Sequence, residues 1–453
     1  MWAKSINPAT GELMKEYPYI TEEELNAKIK KAEEAFKIWK NTSFEDRKKP
    51  FYKLYDLMMA NKEELAKLDT LEMWMLYKDA LGDVEKSAWN AKYFADNAEK
   101  YLAPKDVEEG WVKATIVYEP RGIVFSVMPW NYPYNQVLRS ALPNLAAWNV
   151  VLMKHASNVP QVAEKLEELF KEAGFPEGTY TNLYMPHNFL EKIISHPSVV
   201  WANVTGSESV WRELGSLAGK YFKPSILELG WSDAFILSDM KDIDKAVKEA
   251  IKWRFSNSGQ KCNCSKRFFI VASVYDEFIT KLEKAVSELK VWNPMEESTQ
   301  IGPLAKSSAV DTIDSQVQDS IKSWAKLVFW WKRIWDKWNF YSPTILADVK
   351  PGMRVFDEET FWPVMAVTKV NSVEEAVELA NNSNYWLGCS IFWDDINELN
   401  KIASSVDVWN VSINKIVTSY PNLPYGWIKM SWYGKELWEQ WLKAFVNEKV
   451  IIK

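Results

Sequence analysis

The amino-acid sequence predicts an α/β fold built on parallel sheets with helices on both faces, and three observations lead there. Between residues 123 and 240, apolar strand-like runs alternate with helical stretches: GIVFSVM, a helix, NVVLMK, helix 160–173, TNLYM, helix 188–195, ANVTG, helix 208–221 and SILEL. Runs that are apolar throughout, rather than at every second residue, belong to strands buried on both faces, as in a parallel sheet between helical layers. A second α/β series runs from AFILSDM to about residue 425 and includes RFFIVAS, KLVFWW and SINKIV. Finally, 453 residues are more than one hydrophobic core usually organises, so two or three domains are expected.

The elements follow in order. The first hundred residues read as mostly helical. Thr21 followed by Glu24 is a capping box that opens the amphipathic stretch ITEEELNAKIKKAEEAFKIWK, and residues 53–69 and 79–100 repeat that character with dense Lys and Glu. From residue 112 the texture turns to short β-like runs, beginning with VKATIVYEP. No internal repeat or low-complexity linker interrupts the chain, so composition alone does not place domain boundaries.

Bulk properties exclude several function classes. Apolar residues make up 47% and charged residues 26%, as in an ordinary globular protein. A net charge of −6 and a pI near 5.5 argue against nucleic acid or an anionic membrane as the main partner. No stretch approaches the 18 or so apolar residues of a membrane span, and MWAKSINPATGE lacks the apolar core of a signal peptide. Three cysteines (Cys262, Cys264 and Cys389) make no disulfide framework and point to a reducing, cytoplasmic setting. With only three His beside them, no metal centre is expected.

Four elements carry candidate chemistry. In SNSGQKCNCSKRFFIV, Cys262 follows Gly259 and Gln260 ahead of a β-rich run, a turn on which a thiolate could act as nucleophile. Cys264, two residues on, points to the opposite face if the pair is extended. In MPWNYP, Asn131 ends an apolar strand; its amide could hold an oxyanion or equally cap the next helix. Glu228, in LELG, is a lone carboxylate on an apolar strand and a general-base candidate. In VTGSES, Ser207 opens a helix after a strand, a geometry that suits phosphate.

Taken in order with NPATGE, NVVLMKHAS, FPEG, IGPL, EETF, SINK and LPYG, these motifs resemble the aldehyde dehydrogenase superfamily over essentially the whole chain. Within it the resemblance is greatest to succinate-semialdehyde dehydrogenases. It implies a Rossmann-like cofactor domain from 1–103 and 124–229, and an α/β catalytic domain at 230–425. A small β oligomerisation arm from 104–123 and 426–453 would join subunits into a homodimer or homotetramer.

Roles carry over residue by residue. The resemblance makes Cys262 the nucleophile that attacks an aldehyde, Asn131 the oxyanion holder and Glu228 the base that activates water for thioester hydrolysis. For the cofactor, NADP or NAD, it implies Trp130, Lys154 at the adenosine ribose, Ser207 at the pyrophosphate, and Glu359 with Phe361 at the nicotinamide ribose. Where NAD-selective relatives carry a Glu shortly after that Lys, this chain has Ser157, which removes a carboxylate that would repel a 2′-phosphate. Arg139, eight residues after Asn131 (131 to 139), stands where semialdehyde-oxidising relatives bind the substrate's far carboxylate. Ser419 would assist it, although a helix-face salt bridge would explain Arg139 as well. A broader aliphatic or phosphorylated aldehyde is the alternative substrate.

One composition value is abnormal. Trp occurs 25 times and Gly 16 times in 453 residues, whereas Gly usually makes up roughly 7%. At Trp74, Trp148, Trp201, Trp211, Trp231, Trp292, Trp362, Trp386, Trp409, Trp427, Trp432, Trp438 and Trp441, relatives carry Gly. Trp324, Trp330, Trp331, Trp335 and Trp338 fit the same pattern, while Trp39 and Trp130 stand where the family itself has Trp. The codon UGA, one base from the Gly codon GGA, is read as Gly in some organisms and as Trp in other code tables. The expectation is therefore glycine at these positions in the natural polypeptide. Genuine Trp there would instead fit a catalytically inactive protein of the same fold, or less readily a Trp-rich carbohydrate- or peptide-binding module.

Overall fold

The structure, a computed structural model, describes residues 2–228, 230, 232–329, 339–426, 428–429 and 432–453, with the backbone alone at 227, 386, 428, 432 and 433. Trp231, Trp330, Trp331, Trp335, Trp338 and Trp427 lie outside the described residues, as do the side chains of Trp386 and Trp432.

The strand–helix alternation builds two main sheets. The six-stranded sheet runs Trp432–Tyr433, Ser225–Glu228, Val199–Thr205, Ile123–Met128, Val150–His155, Tyr180–Asn182, parallel throughout except for the first edge strand. All six residues of Ile123–Met128 are buried, as expected of a strand covered on both faces. The seven-stranded sheet runs Lys326–Phe329, Thr344–Ala347, Val364–Val370, Ser265–Val271, Asp233–Leu237, Gly388–Phe392, Asn410–Ile413, and only Lys326–Phe329 is antiparallel. Strands Lys105–Glu109, Val112–Pro120 and Val446–Ile452 form a separate antiparallel sheet.

Helix Glu22–Trp39 shows how the sequence fixes an element. Thr21 Oγ1 accepts from Glu24 N–H at 3.2 Å, and the Glu24 carboxylate accepts from Thr21 N–H at 2.8 Å, so each satisfies an otherwise unpaired donor. Leu25, Ile29, Ala32, Ala35 and Trp39 form its buried stripe and join the core beneath the six-stranded sheet.

One expectation gains a detail and one needs correction. The first hundred residues are mostly helical, as expected, but they open on an antiparallel hairpin of Trp2–Ile6 and Leu13–Pro18. Its turn is the NPATGE stretch, where Asn7 Oδ1 accepts from Ala9 N–H at 3.0 Å and Gly11 takes φ +71°. The helix expected over 53–69 is two helices, Phe44–Ala60 and Lys62–Met73, divided at Asn61, whose side-chain amide donates to Leu57 O at 2.8 Å. A self-bonding Asn competes with the helical ladder and ends it without Pro or Gly.

Among the described residues, four of the anomalous Trp occupy left-handed backbone: Trp74 (φ 61°), Trp148 (φ 61°), Trp324 (φ 76°) and Trp438 (φ 56°). Trp74, Trp148 and Trp324 each follow a helix end, where glycine is the usual residue because a side chain there costs about 1–2 kcal/mol. Among the described residues no helix is long and apolar enough to cross a membrane.

Candidate active site

Three neighbouring parallel strands, Ser225–Glu228, Val199–Thr205 and Ile123–Met128, point their carboxyl ends at one place, where open α/β sheets bind ligands. Glu228 and Thr205 close their strands there, and Asn131 lies in the turn after Met128. From the other side comes the loop carrying Cys262. Asn257 (φ 49°) and Ser258 (φ 53°) sit in left-handed backbone without being glycine, and side-chain bonds hold them. Asn257 Nδ2 donates to Asn131 O at 2.9 Å, and Ser258 Oγ donates to Gly302 O at 2.8 Å. Gly259 (φ +77°) is required, because a Cβ there would come 2.5 Å from the Trp362 backbone. Asn131 Nδ2 in turn donates to Gln260 O at 3.2 Å, which ties the PWN turn to the cysteine loop.

Cys262 lies between two cavities of about 320 Å³ each, and Gln136 also lines both. The first cavity takes Trp130, Asn131, Ser207, Glu228, Glu359 and Phe361, so seven candidates, counting Cys262, share it. The second takes Arg139 and Ser419. Lys154 and Ser157 are not in either; they line a small separate recess at the end of Val150–His155. Lys306, a wall of the first cavity, is still near enough to repel the Lys154 ammonium, and burial first and that repulsion second lower the Lys154 pKa. A larger hollow of about 970 Å³ lies by helices Ile243–Phe255 and Ala272–Ser287 but holds none of the candidates. Convergence of reactive groups rather than volume marks the site.

The electrostatics separate the two carboxyl-handling regions. Burial pushes the Cys262 thiol up to about 12, with the Glu228 charge adding to it, while Lys266, Arg139 and Lys261 pull it down. The resting nucleophile is therefore a thiol. Burial, and then the charge of Glu436, raise Glu228 well above the usual carboxylate range. Its Oε2 accepts from Thr205 Oγ1 at 3.3 Å, and Oε1 has no hydrogen-bond partner among the described residues. Cys264 is buried away from the cavities, with Arg254 donating to its sulfur at 3.0 Å.

Arg139 differs from its expectation in one respect. Its guanidinium is buried in an ion pair with Glu436 and lies 4.7 Å from the Tyr425 ring centre, so its charge is already matched. Ser419 Oγ accepts from Lys86 Nζ at 3.0 Å. Sequence reasoning missed Lys266, whose fully buried Nζ donates to Cys262 O at 2.6 Å and lies 3.4 Å from Glu359 Oε1. It also missed Lys86, Lys261 and Glu436. For Lys266 the signal was a charged residue inside the apolar strand SKRFFIV.

Comparison with known proteins gives a consistent result. The family model described as "Aldehyde dehydrogenase family" matches residues 2–451. Succinate-semialdehyde dehydrogenase [NADP(+)] of Deinococcus radiodurans is 38% identical over 447 residues, covering 99% of this chain and 94% of the relative. The protein of that name from Mycobacterium avium is 38% identical over 451 residues, covering 99% and 96%. Among solved structures, succinic semialdehyde dehydrogenase from Streptococcus pyogenes in complex with NADP+ superposes with a TM-score of 0.97 at 34% identity, covering 99% of both chains.

Proposed function

The chain belongs to the aldehyde dehydrogenase family, and from that premise we propose that it oxidises succinate semialdehyde to succinate, with NADP or NAD as hydride acceptor. The observation that carries the reading is the position of Cys262 between two cavities, one suited to a dinucleotide and one to a small anionic aldehyde.

The residues present fit the dinucleotide. Ser207 opens the helix Glu208–Lys220 without its side chain capping the first-turn N–H groups, which leaves them for a pyrophosphate. Among the described residues neither Lys154 nor Lys306 has a carboxylate within ion-pair distance, so both can face phosphate or ribose. Trp130 and Phe361 pack edge to face at 6.1 Å in the same cavity, beside Glu359. Ser157 next to Lys154 leaves a 2′-phosphate unopposed, which supports NADP.

The bound dinucleotide supplies the hydride acceptor; the chain supplies the rest. Cys262 gives up its proton to solvent water and its sulfur attacks the aldehyde carbon. The amide of Asn131 and the Cys262 N–H hold the oxygen as it becomes an alkoxide, while Lys266 holds the Cys262 carbonyl and so the orientation of that loop. Loss of hydride leaves a thioester on Cys262. Glu228, once ionised, takes a proton from water, which adds to the thioester carbonyl; the acid leaves and the thiol is restored.

Residues 1–103 and 124–229 would form the cofactor unit and 230–425 the catalytic unit. Segments 104–123 and 426–453 would join subunits into a dimer or tetramer, where exposed Val450, Ile451 and Ile452 favour pairing. Free thiols at all three cysteines fit the cytoplasmic setting we propose. The test is NADPH formation from succinate semialdehyde and from butyraldehyde, its uncharged counterpart. The acid aldehyde should give the higher kcat/KM; equal values would sink the substrate assignment.

A further inference from the structure

We propose that Lys86 and Lys261, rather than Arg139 alone, seat the substrate's far carboxylate in the cavity on the outer side of Cys262. The proposal rests on the succinate-semialdehyde reading and names the residues that would enforce it. Both lysines line the second cavity together with Cys262. Lys86 comes from the helix Tyr77–Tyr101, and Lys261 immediately precedes the nucleophile. Among the described residues no carboxylate lies within ion-pair distance of either ammonium. Among the described residues Lys86 Nζ donates to Ser419 Oγ, at 3.0 Å. The Lys261 ammonium lies 3.3 Å from the Trp253 ring centre, and an indole face holds a cation without cancelling its charge.

Arg139 is the less available cation, because its guanidinium is already ion-paired with Glu436. The nearby acids do not change this. Asp83 accepts from Asn135 N–H at 3.4 Å, and burial raises both Asp79 and Asp83 toward their neutral forms. What remains is a cavity whose cations repel one another: loss of hydration first, then Arg139 for Lys86 and Lys86 for Lys261, push the two lysines down to about 8 each, although Lys86 keeps part of its surface exposed. A carboxylate between them would remove that repulsion and accept from Lys86, Lys261 and Ser419 at once. With the acid end held there, the aldehyde end of a short chain is directed back to Cys262.

The experiment compares Lys86→Gln, Lys261→Gln and the double variant with Lys86→Arg and Lys261→Arg. The measured quantity is the ratio of kcat/KM for succinate semialdehyde to that for butyraldehyde. Each Gln change should lower the ratio about tenfold, chiefly through KM for the acid aldehyde, and the Arg changes should restore most of it. As a readout independent of turnover, calorimetric titration with succinate should lose its heat signal in the double Gln variant. If the wild-type chain prefers the acid aldehyde and the double variant keeps both that preference and succinate binding, the seat is elsewhere and this proposal falls. If the wild-type chain shows no preference at all, the succinate-semialdehyde reading falls and takes the seat with it.

Discussion

On the inner side of Cys262 the cavity wall carries Glu228 and Glu359 with Lys306; on the outer side it carries Lys78, Lys86, Lys261 and Arg139, with Asp79 and Asp83 shifted by burial toward their neutral forms. The same thiol faces both. Burial raises its proton affinity most and Glu228 adds to that, while Lys266, Arg139 and Lys261 lower it. The difference shows how one fold orients an asymmetric substrate. An anionic chain entering from outside meets cations before the nucleophile and a carboxylate beyond it, so only its uncharged end advances toward Glu228.

Removing the shared residue tests the comparison most severely. Cys262→Ala should abolish turnover of every aldehyde, a loss of at least about 10⁴-fold, while NADP and succinate still bind by titration. Substantial residual turnover would mean that the two cavities do not meet at the reacting atom. Next comes Glu228→Gln, which should leave the first hydride transfer intact and stall the thioester. Stopped-flow should then read about one NADPH per active site followed by a steady rate lowered roughly 10²–10⁴-fold. The pH dependence has a definite sign. A carboxyl whose folded pKa is raised stays protonated, and useless as a base, until pH climbs past that value. The wild-type steady-state profile should therefore rise well above the ordinary carboxylate range of about 4–5, and the Gln variant should lack that limb. A full steady rate in the variant would give the hydrolytic role to another group.

A smaller effect tests the inner cavity's outer reach. Ser157→Glu puts a carboxylate beside Lys154, where it would oppose a 2′-phosphate. The NADP kcat/KM should fall about 10–100-fold, with NAD little affected; an equal fall with both would mean that position 157 does not face that phosphate.

Much of this was legible in the sequence because it is local. Apolar runs with short turns identify buried strands, and residues such as Asn131 and Glu228 declare themselves by standing at strand ends. What could not be read was non-local or too short to be periodic. The hairpin of residues 2–18 has strands of five and six residues, and only the first alternates cleanly between exposed and buried. The break at Asn61 depends on one side chain bonding its own helix. The Arg139–Glu436 pair joins residues far apart in the chain, so the sequence left an anion clamp and a salt bridge both open for Arg139 and could not name the partner. Lys86 belongs to a helix dense in Lys and Glu, and nothing in that pattern tells which lysine turns into a cavity.

The smallest effect concerns the anomalous tryptophans, and here two positions differ instructively. Trp148 and Trp324 both sit in left-handed backbone after a helix. Trp148 has interactions to offset its strain: Arg47 lies 3.6 Å from its ring centre, Phe44 packs at 4.5 Å, and its Nε1 donates to Thr42 O at 3.0 Å. Trp324 is 89% exposed and carries the strain with little contact to offset it. Replacing Trp324 by Gly should therefore stabilise the protein by about 1 kcal/mol in denaturant unfolding, the relief of the left-handed side chain exceeding the extra freedom of an unfolded glycine. Trp148→Gly should not, because it takes the nearer of two rings, Trp148 and Phe44, away from the Arg47 guanidinium in a buried site. If the natural polypeptide carries glycine at both positions, as the codon reading predicts, peptide mass spectrometry of protein from its natural source will find glycine at 148 and 324 alike, and the stacking around Trp148 belongs only to the tryptophan form. Tryptophan at 324 in that protein, with no gain in stability from glycine, would mean that these turns have been rebuilt around indoles and that the cofactor cavity beside Trp362 has been remodelled with them.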